Sequence, residues 1–137
     1  MQIQAAPPET PVLSIGDASK NVGVYAKAIL AQPQVTRGGK YVIAYNEETT
    51  IGGLLETWSK VTGKPSVYVQ TTSLKAFDDI WPVEGYEMGG MLKFWEEAQD
   101  KSWSGEELLT GKDLNIESDK LVTIEETYKS MDWDAVL

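Results

Sequence analysis

Acid–base chemistry in this chain must rest on carboxylates, tyrosines, lysines and hydroxyls, because the sequence contains neither histidine nor cysteine. That removes imidazole bases, thiolate nucleophiles and the usual zinc ligand sets. The richest polar cluster is Tyr45-Asn46-Glu47-Glu48, which closes a β-prone run and offers a phenol beside two carboxylates. Asp17 is the second candidate, directly after the short apolar run that ends at Ile15-Gly16. Open α/β sheets collect ligands at the carboxyl ends of their strands, so Glu47, Asp17 and Tyr45 are the expected acid/base residues. Each also has a plainer use. Asp17 suits a helix N-cap, and acidic residues ahead of a helix complement its dipole. Asp78-Asp79, Glu96-Glu97 and Glu106-Glu107 fit solvated surface.

A second set of residues suits binding rather than proton transfer. Trp58, Trp81, Tyr86, Met88, Met91, Phe94, Trp95 and Trp103 form an unusually rich aromatic and methionine group. Soft methionine and amphipathic aromatic surfaces fit an apolar polycyclic ligand. Trp81, Tyr86, Met88, Met91 and Trp95 are therefore the expected substrate-binding residues, with a domain core or a dimer interface as the competing use of the same surface. Gly89-Gly90 strips side chains from one side of that helix, so a ligand, a kink or another backbone is expected to approach there.

The elements that must position these groups follow from periodicity and punctuation. Residues 1–11 carry Pro7, Pro8 and Pro11 and read as an irregular N-terminal arm, ahead of a single domain over 12–137. Val12 to Ile15 predicts a short strand. Asp17 or Ser19 then caps a helix with Val22, Tyr25, Ala26, Ile29 and Leu30 on one face. Tyr41 to Tyr45 reads as a buried strand. Thr49 or Thr50 starts the clearest helix, with Ile51, Leu54, Leu55, Trp58 and Val61 inward and Gly63 and Pro65 as its stop. A strand over 66–71 follows, and short joints on either side of the helix predict a right-handed parallel crossover. Ser73 caps a short helix ended by Pro82, a longer helix runs from Glu84 to about Asp100, and 101–120 is loop. Thr123-Ile124-Glu125-Glu126 is a capping box for a last helix with Ile124, Tyr128 and Met131 inward. The expected class is α/β, with a small two- or three-stranded, mostly parallel sheet and about five helices. So small a sheet leaves open edges that something must cover.

Composition narrows the partners. Twenty-one acidic against twelve basic residues give a net charge of -9, and the lysines are scattered singly. Such a field repels nucleic-acid phosphates and anionic lipid, so neither nucleic acid nor membrane is expected as a partner. The absence of an apolar run near 18 residues, and of a leader at Met1, sets a cytoplasmic location as the expectation.

Several segments together resemble the C-terminal half of the NmrA-like proteins, atypical members of the short-chain dehydrogenase/reductase superfamily, and their fungal representatives in particular. They are Ile15-Gly16-Asp17 before Val22-Gly23, Gly39-Lys40-Tyr41-Val42, Thr50 to Val61 followed by Thr62-Gly63-Lys64, Glu87 to Trp95, and Ser130-Met131-Asp132-Trp133. The resemblance implies an N-terminal Rossmann half that binds NADP and a C-terminal half that walls a small-molecule pocket. The sequence has no G-x-G-x-x-G turn, so no family cofactor residue carries over and no cofactor is expected. Either the chain is a fragment or it is a free-standing descendant of the substrate half.

Three functions follow as expectations: a cofactor-independent cyclase, isomerase or dehydratase acting on an apolar metabolite, a non-catalytic binding or regulatory module, or the detached half of an NADP-dependent reductase. A homodimer is expected, with the partner copy covering the sheet edges and the surplus apolar surface.

Overall fold

The structure, a computed structural model, describes residues 1–103 and 107–135; Glu106, one of the paired carboxylates above, lies outside them. In chain order the strands are β1 (Gln2–Gln4), β2 (Pro11–Ser14), β3 (Tyr41–Val42), β4 (Glu47–Thr50), β5 (Tyr68–Gln70) and β6 (Leu108–Leu109). The helices are α1 (Ala18–Ala31), α2 (Pro33–Thr36), α3 (Ile51–Thr62), α4 (Leu74–Asp78), α5 (Glu84–Ala98) and α6 (Ile124–Ser130). The fold is α/β, and among the described residues its strands form three two-stranded sheets, β1-β5, β2-β4 and β3-β6. The β1-β5 and β3-β6 pairs are parallel. Contacts divide the chain into two compact units, one of Met1–Val12 with Thr49–Ser102, the other of Leu13–Glu48 with Trp103–Leu137. Among the described residues no helix is long and apolar enough to cross a membrane.

In the first unit, α3 begins where Thr50 accepts the Gly53 N–H at 3.0 Å and ends at Gly63, whose φ of 67° suits glycine in the left-handed region. Its apolar face supplies Ile51, which shares a core with Ala6, Val12 and Leu92, and Leu54, Tyr68 and Trp95 pack around it. Burying one such aliphatic side chain contributes about 1.5–3 kcal/mol. The N-terminal segment read as an irregular arm supplies β1 to this unit, pairing Gln2 with Tyr68 and Gln4 with Gln70. Tyr68 points inward and donates its hydroxyl to Ala6 O at 2.7 Å, while Val67 and Val69 on the opposite face are exposed. The close approach expected at Gly89-Gly90 occurs at the first glycine alone. A Cβ on Gly89 would sit 2.4 Å from Leu74 Cδ1 of α4, whereas Gly90 has nothing within 4 Å.

The second unit is tied by buried polar groups. Asp17 caps α1 by accepting Ser19 N–H at 3.0 Å. Asn21, fully buried, donates to Ile15 O and Val122 O and accepts Val122 N–H at 2.9 Å. The inward face of α1 is therefore rotated from the expected one: Asn21 and Tyr25 are buried, and Val22 and Leu30 are 52% and 80% exposed. An apolar count cannot anticipate an asparagine that pays its desolvation with three hydrogen bonds. Tyr25 packs with Leu114 and Leu121. Gly16 is required here, at φ 70° with its would-be Cβ 2.1 Å from Val122 O. The capping box forms as expected at Thr123 and Glu126. Met131 ends α6 and is half exposed rather than inward.

Two strand expectations change. Tyr41 to Tyr45 narrows to the two residues of β3, with Tyr41 62% exposed, because its partner β6 offers only Leu108 and Leu109. Among the described residues the crossover over α3 is not formed: β3 pairs with β6 and β5 with β1, so no sheet there holds both strands.

Candidate functional site

An apolar cleft of about 580 Å³ lies within the first unit. One wall is β1, through Gln2, Ile3 and Gln4, and a second is the start of α3, through Ile51 and Leu54. The rest comes from Met1, from Val12 of β2, from α4 and the segment after it, and from α5. Phe77 and Trp81 bring tilted rings 4.9 Å apart, and α5 contributes Gly85, Met88, Met91, Leu92 and Trp95. Those α5 positions recur at steps of three and four, so they share one helical face, and the two methionines fit irregular apolar shapes. Gly85 brings α5 hard against α4: a Cβ there would lie 2.8 Å from Asp78 Cα and 3.1 Å from Phe77 O.

Four of the five expected binding residues, Trp81, Met88, Met91 and Trp95, line this cleft together. Tyr86 does not. Two residues before Met88 is roughly 200° round the helix, and its ring is 67% exposed. Sequence reasoning missed the β1 wall, whose short polar-apolar-polar alternation is hidden by the prolines that follow, and it missed Phe77, Ile51 and Leu54 as lining because their spacing reads equally as core.

The three expected acid/base residues all lie in the second unit. Tyr45 lines a small pocket of about 130 Å³ with Tyr25, Asn46, Thr110 and Gly111. Burial, then the charge and hydrogen bond of Glu48, push the Tyr45 phenol above its ordinary range. Asp17 and Glu47 line neither the cleft nor this pocket. The Ser19 hydroxyl and the Lys20 ammonium, 3.0 Å away, hold the Asp17 carboxyl below the usual carboxylate range. Glu47 does not follow the carboxyl end of a central strand; it begins β4, and its Oε2 accepts the Ile124 N–H at 2.5 Å where α6 starts. Both carboxylates thus serve helix N-termini, a use that offsets unpaired N–H groups and the helix dipole. Among the described residues no group of three or more acidic side chains could hold a metal ion.

An α/β domain with small parallel strand pairs and an aromatic, methionine-lined cleft is the class these features define. Residues 2–135 match the NmrA-like family, and the chain belongs to it. Comparison with curated proteins and with solved structures gives no match. The first-unit cleft does not fit the dinucleotide that the family resemblance implies. It has no lysine or arginine in its lining, and the N-terminal amides of α3 at Gly52 and Gly53 are already bonded to Pro8 O and Thr50 Oγ1. A phosphate needs such amides or cations.

Proposed function

We propose that this chain is a small-molecule-binding domain that holds an apolar ligand in the first-unit cleft. The observation that carries the reading is the convergence of Trp81, in the segment between α4 and α5, with Met88, Met91 and Trp95 of α5 on one concavity of a size suited to a small organic ligand. Titration with N-phenylnaphthylamine, an uncharged apolar fluorophore, tests it. Met88→Asp at the mouth should weaken binding about tenfold or more, since it sets a charge against apolar ligand surface. Tyr86→Asp, on the far side of α5, should leave binding unchanged. Equal effects of the two substitutions would refute the reading.

A second proposal is cofactor-independent acid/base catalysis of the cyclase, isomerase or dehydratase kind, and the Tyr45 pocket favours it. Tyr45 would be the proton-transferring group, with Glu47 and Asp17 as its carboxylate candidates; unchanged turnover in Glu47→Gln and Asp17→Asn would remove both from that role. The binding reading has the stronger support, because both carboxylates already serve backbone N–H groups. We also propose a homodimer, supported by the exposed Ile80, Val83, Tyr86 and Phe94 around α4 and α5. A light-scattering mass near 15.1 kDa at tens of micromolar would exclude it.

A further inference from the structure

The cleft is uneven in its charge. Its polar side chains are Gln2, Gln4 and Glu84, of which Glu84 alone is charged, and Met1, which also lines it and is 81% exposed, carries the chain's α-ammonium. Glu84 opens α5, is exposed at the mouth, and has no ion-pair partner among the described residues. The nearest lysine on the same helix, Lys93, is taken by Glu96 at 2.6 Å. Trp81, 41% exposed, and Trp95, half-buried, line the same space, and the face of an indole attracts a cation through its quadrupole. A carboxylate at the rim and two indoles on the walls favour a positive head on an apolar body. An anionic head would meet Glu84 inside a protein whose net charge is already -9.

We propose that the cleft selects its ligands by charge: an apolar body carrying an amine or other cationic group, with Glu84 as the recognition residue, and with carboxylated or phosphorylated apolar molecules rejected. This rests on the binding reading above and adds the ligand class to it.

The test uses three molecules of one shape, naphthylmethylamine, naphthylmethanol and naphthoate, each displacing N-phenylnaphthylamine from the full chain at low ionic strength. The amine should bind about 3–10 times more tightly than the alcohol, and the carboxylate should be weaker than the alcohol by a similar factor, as befits an exposed charge reinforced by ring faces. Raising salt should compress the series. Glu84→Gln should bring all three within about twofold of one another. Glu87→Gln removes the same charge from the same turn of α5 away from the cleft, and should leave the series intact; it separates local recognition from the overall negative field. Equal affinities for the three molecules, or a series that survives Glu84→Gln, would overturn the charge selection while leaving apolar binding in place. Failure of N-phenylnaphthylamine itself to bind would overturn both.

Discussion

The two compact units spend their buried surface in opposite ways. The second closes its interior with directed hydrogen bonds to distant backbone: Asn21 to Ile15 and Val122, Tyr25 to Tyr45 O at 2.6 Å, Gln32 to Leu114 O at 2.8 Å, and Glu47 to Ile124 N–H. Each bond fixes a geometry and leaves little room, and the pocket beside Tyr45 and Asn46 is only about 130 Å³. The first unit relies on apolar contact between α3, α5 and the β1 segment, which is non-directional and leaves a cleft more than four times larger. Directed polar packing suits a scaffold. Apolar packing that stops short of closure suits binding.

The sharpest way to break this contrast is Asn21→Ala. Ile15 O and Val122 N–H would lose their partner at once, while Val122 O would keep Asn46 Nδ2 at 3.1 Å, and each unsatisfied group costs about 1–3 kcal/mol. The second unit should lose roughly 2 kcal/mol or more, seen as faster amide exchange confined to residues of that unit. A loss below about 1 kcal/mol would show that its polar groups do not hold it together.

Next in size is Gly85→Ala in the first unit. The new Cβ would meet backbone atoms of Asp78 and Phe77, which cannot swing aside as a side-chain tip can. Overpacking of this kind costs about 1–3 kcal/mol. Because Gly85 also lines the cleft, affinity for N-phenylnaphthylamine should fall with the urea midpoint. Unchanged stability and binding would mean that α4 and α5 are not in close contact there.

Tyr68→Phe probes the side-chain hydrogen bond that adds to the β1-β5 backbone pairing in the apolar unit. Losing its hydrogen bond to Ala6 O should cost about 1 kcal/mol at neutral pH. Burial first, then the charges of Glu9 and Glu96, push the Tyr68 phenol up to about 12 from an ordinary 10.0. Since the folded value is the higher one, its contribution is complete below pH 10 and is lost as pH rises towards 12. The wild-type chain should therefore lose stability more steeply than Tyr68→Phe across that window, and parallel alkaline titrations would contradict the assignment.

The legible parts of this molecule are the local ones. Asp17, Thr50, Ser73 and the Thr123-Glu126 box announced α1, α3, α4 and α6, because a cap is a bond between residues two or three apart. The α5 stripe of Met88, Met91 and Trp95 was legible through its period and does line the cleft. Pairings were not legible. Nothing within Leu108–Leu109 specifies Tyr41–Val42 as its neighbour, and nothing within Gln2–Gln4 specifies Tyr68–Gln70. Asn21 was passed over because a polar residue reads as surface until its partners, Ile15 and the distant Val122, are known. Tyr45 and Glu47 were placed by a strand ending at Tyr45, and that strand stops at Val42.

The smallest expected effect is a gain, and it separates the two glycines that the sequence presents as a pair. Gly90 lies inside α5 with nothing within 4 Å of its would-be Cβ and no part in the cleft lining. Alanine there should restrict the unfolded chain and add helix propensity without meeting a neighbour, raising stability by about 0.5–1 kcal/mol. Gly89→Ala offers the same propensity gain but drives a methyl to within 2.4 Å of Leu74 Cδ1 and 3.0 Å of Phe77 Cδ1. Its net effect should therefore fall below that of Gly90→Ala, by an amount set by how far the Leu74 side chain can yield. Urea midpoints of the two variants, with N-phenylnaphthylamine affinity measured on each, read this directly. If Gly90→Ala raised the midpoint and kept affinity while Gly89→Ala did neither, α5 would be a helix with one face committed to α4 and the cleft and another open to solvent. Equal gains at both positions would dissolve that distinction, and with it the close α4-α5 packing on which the cleft wall depends.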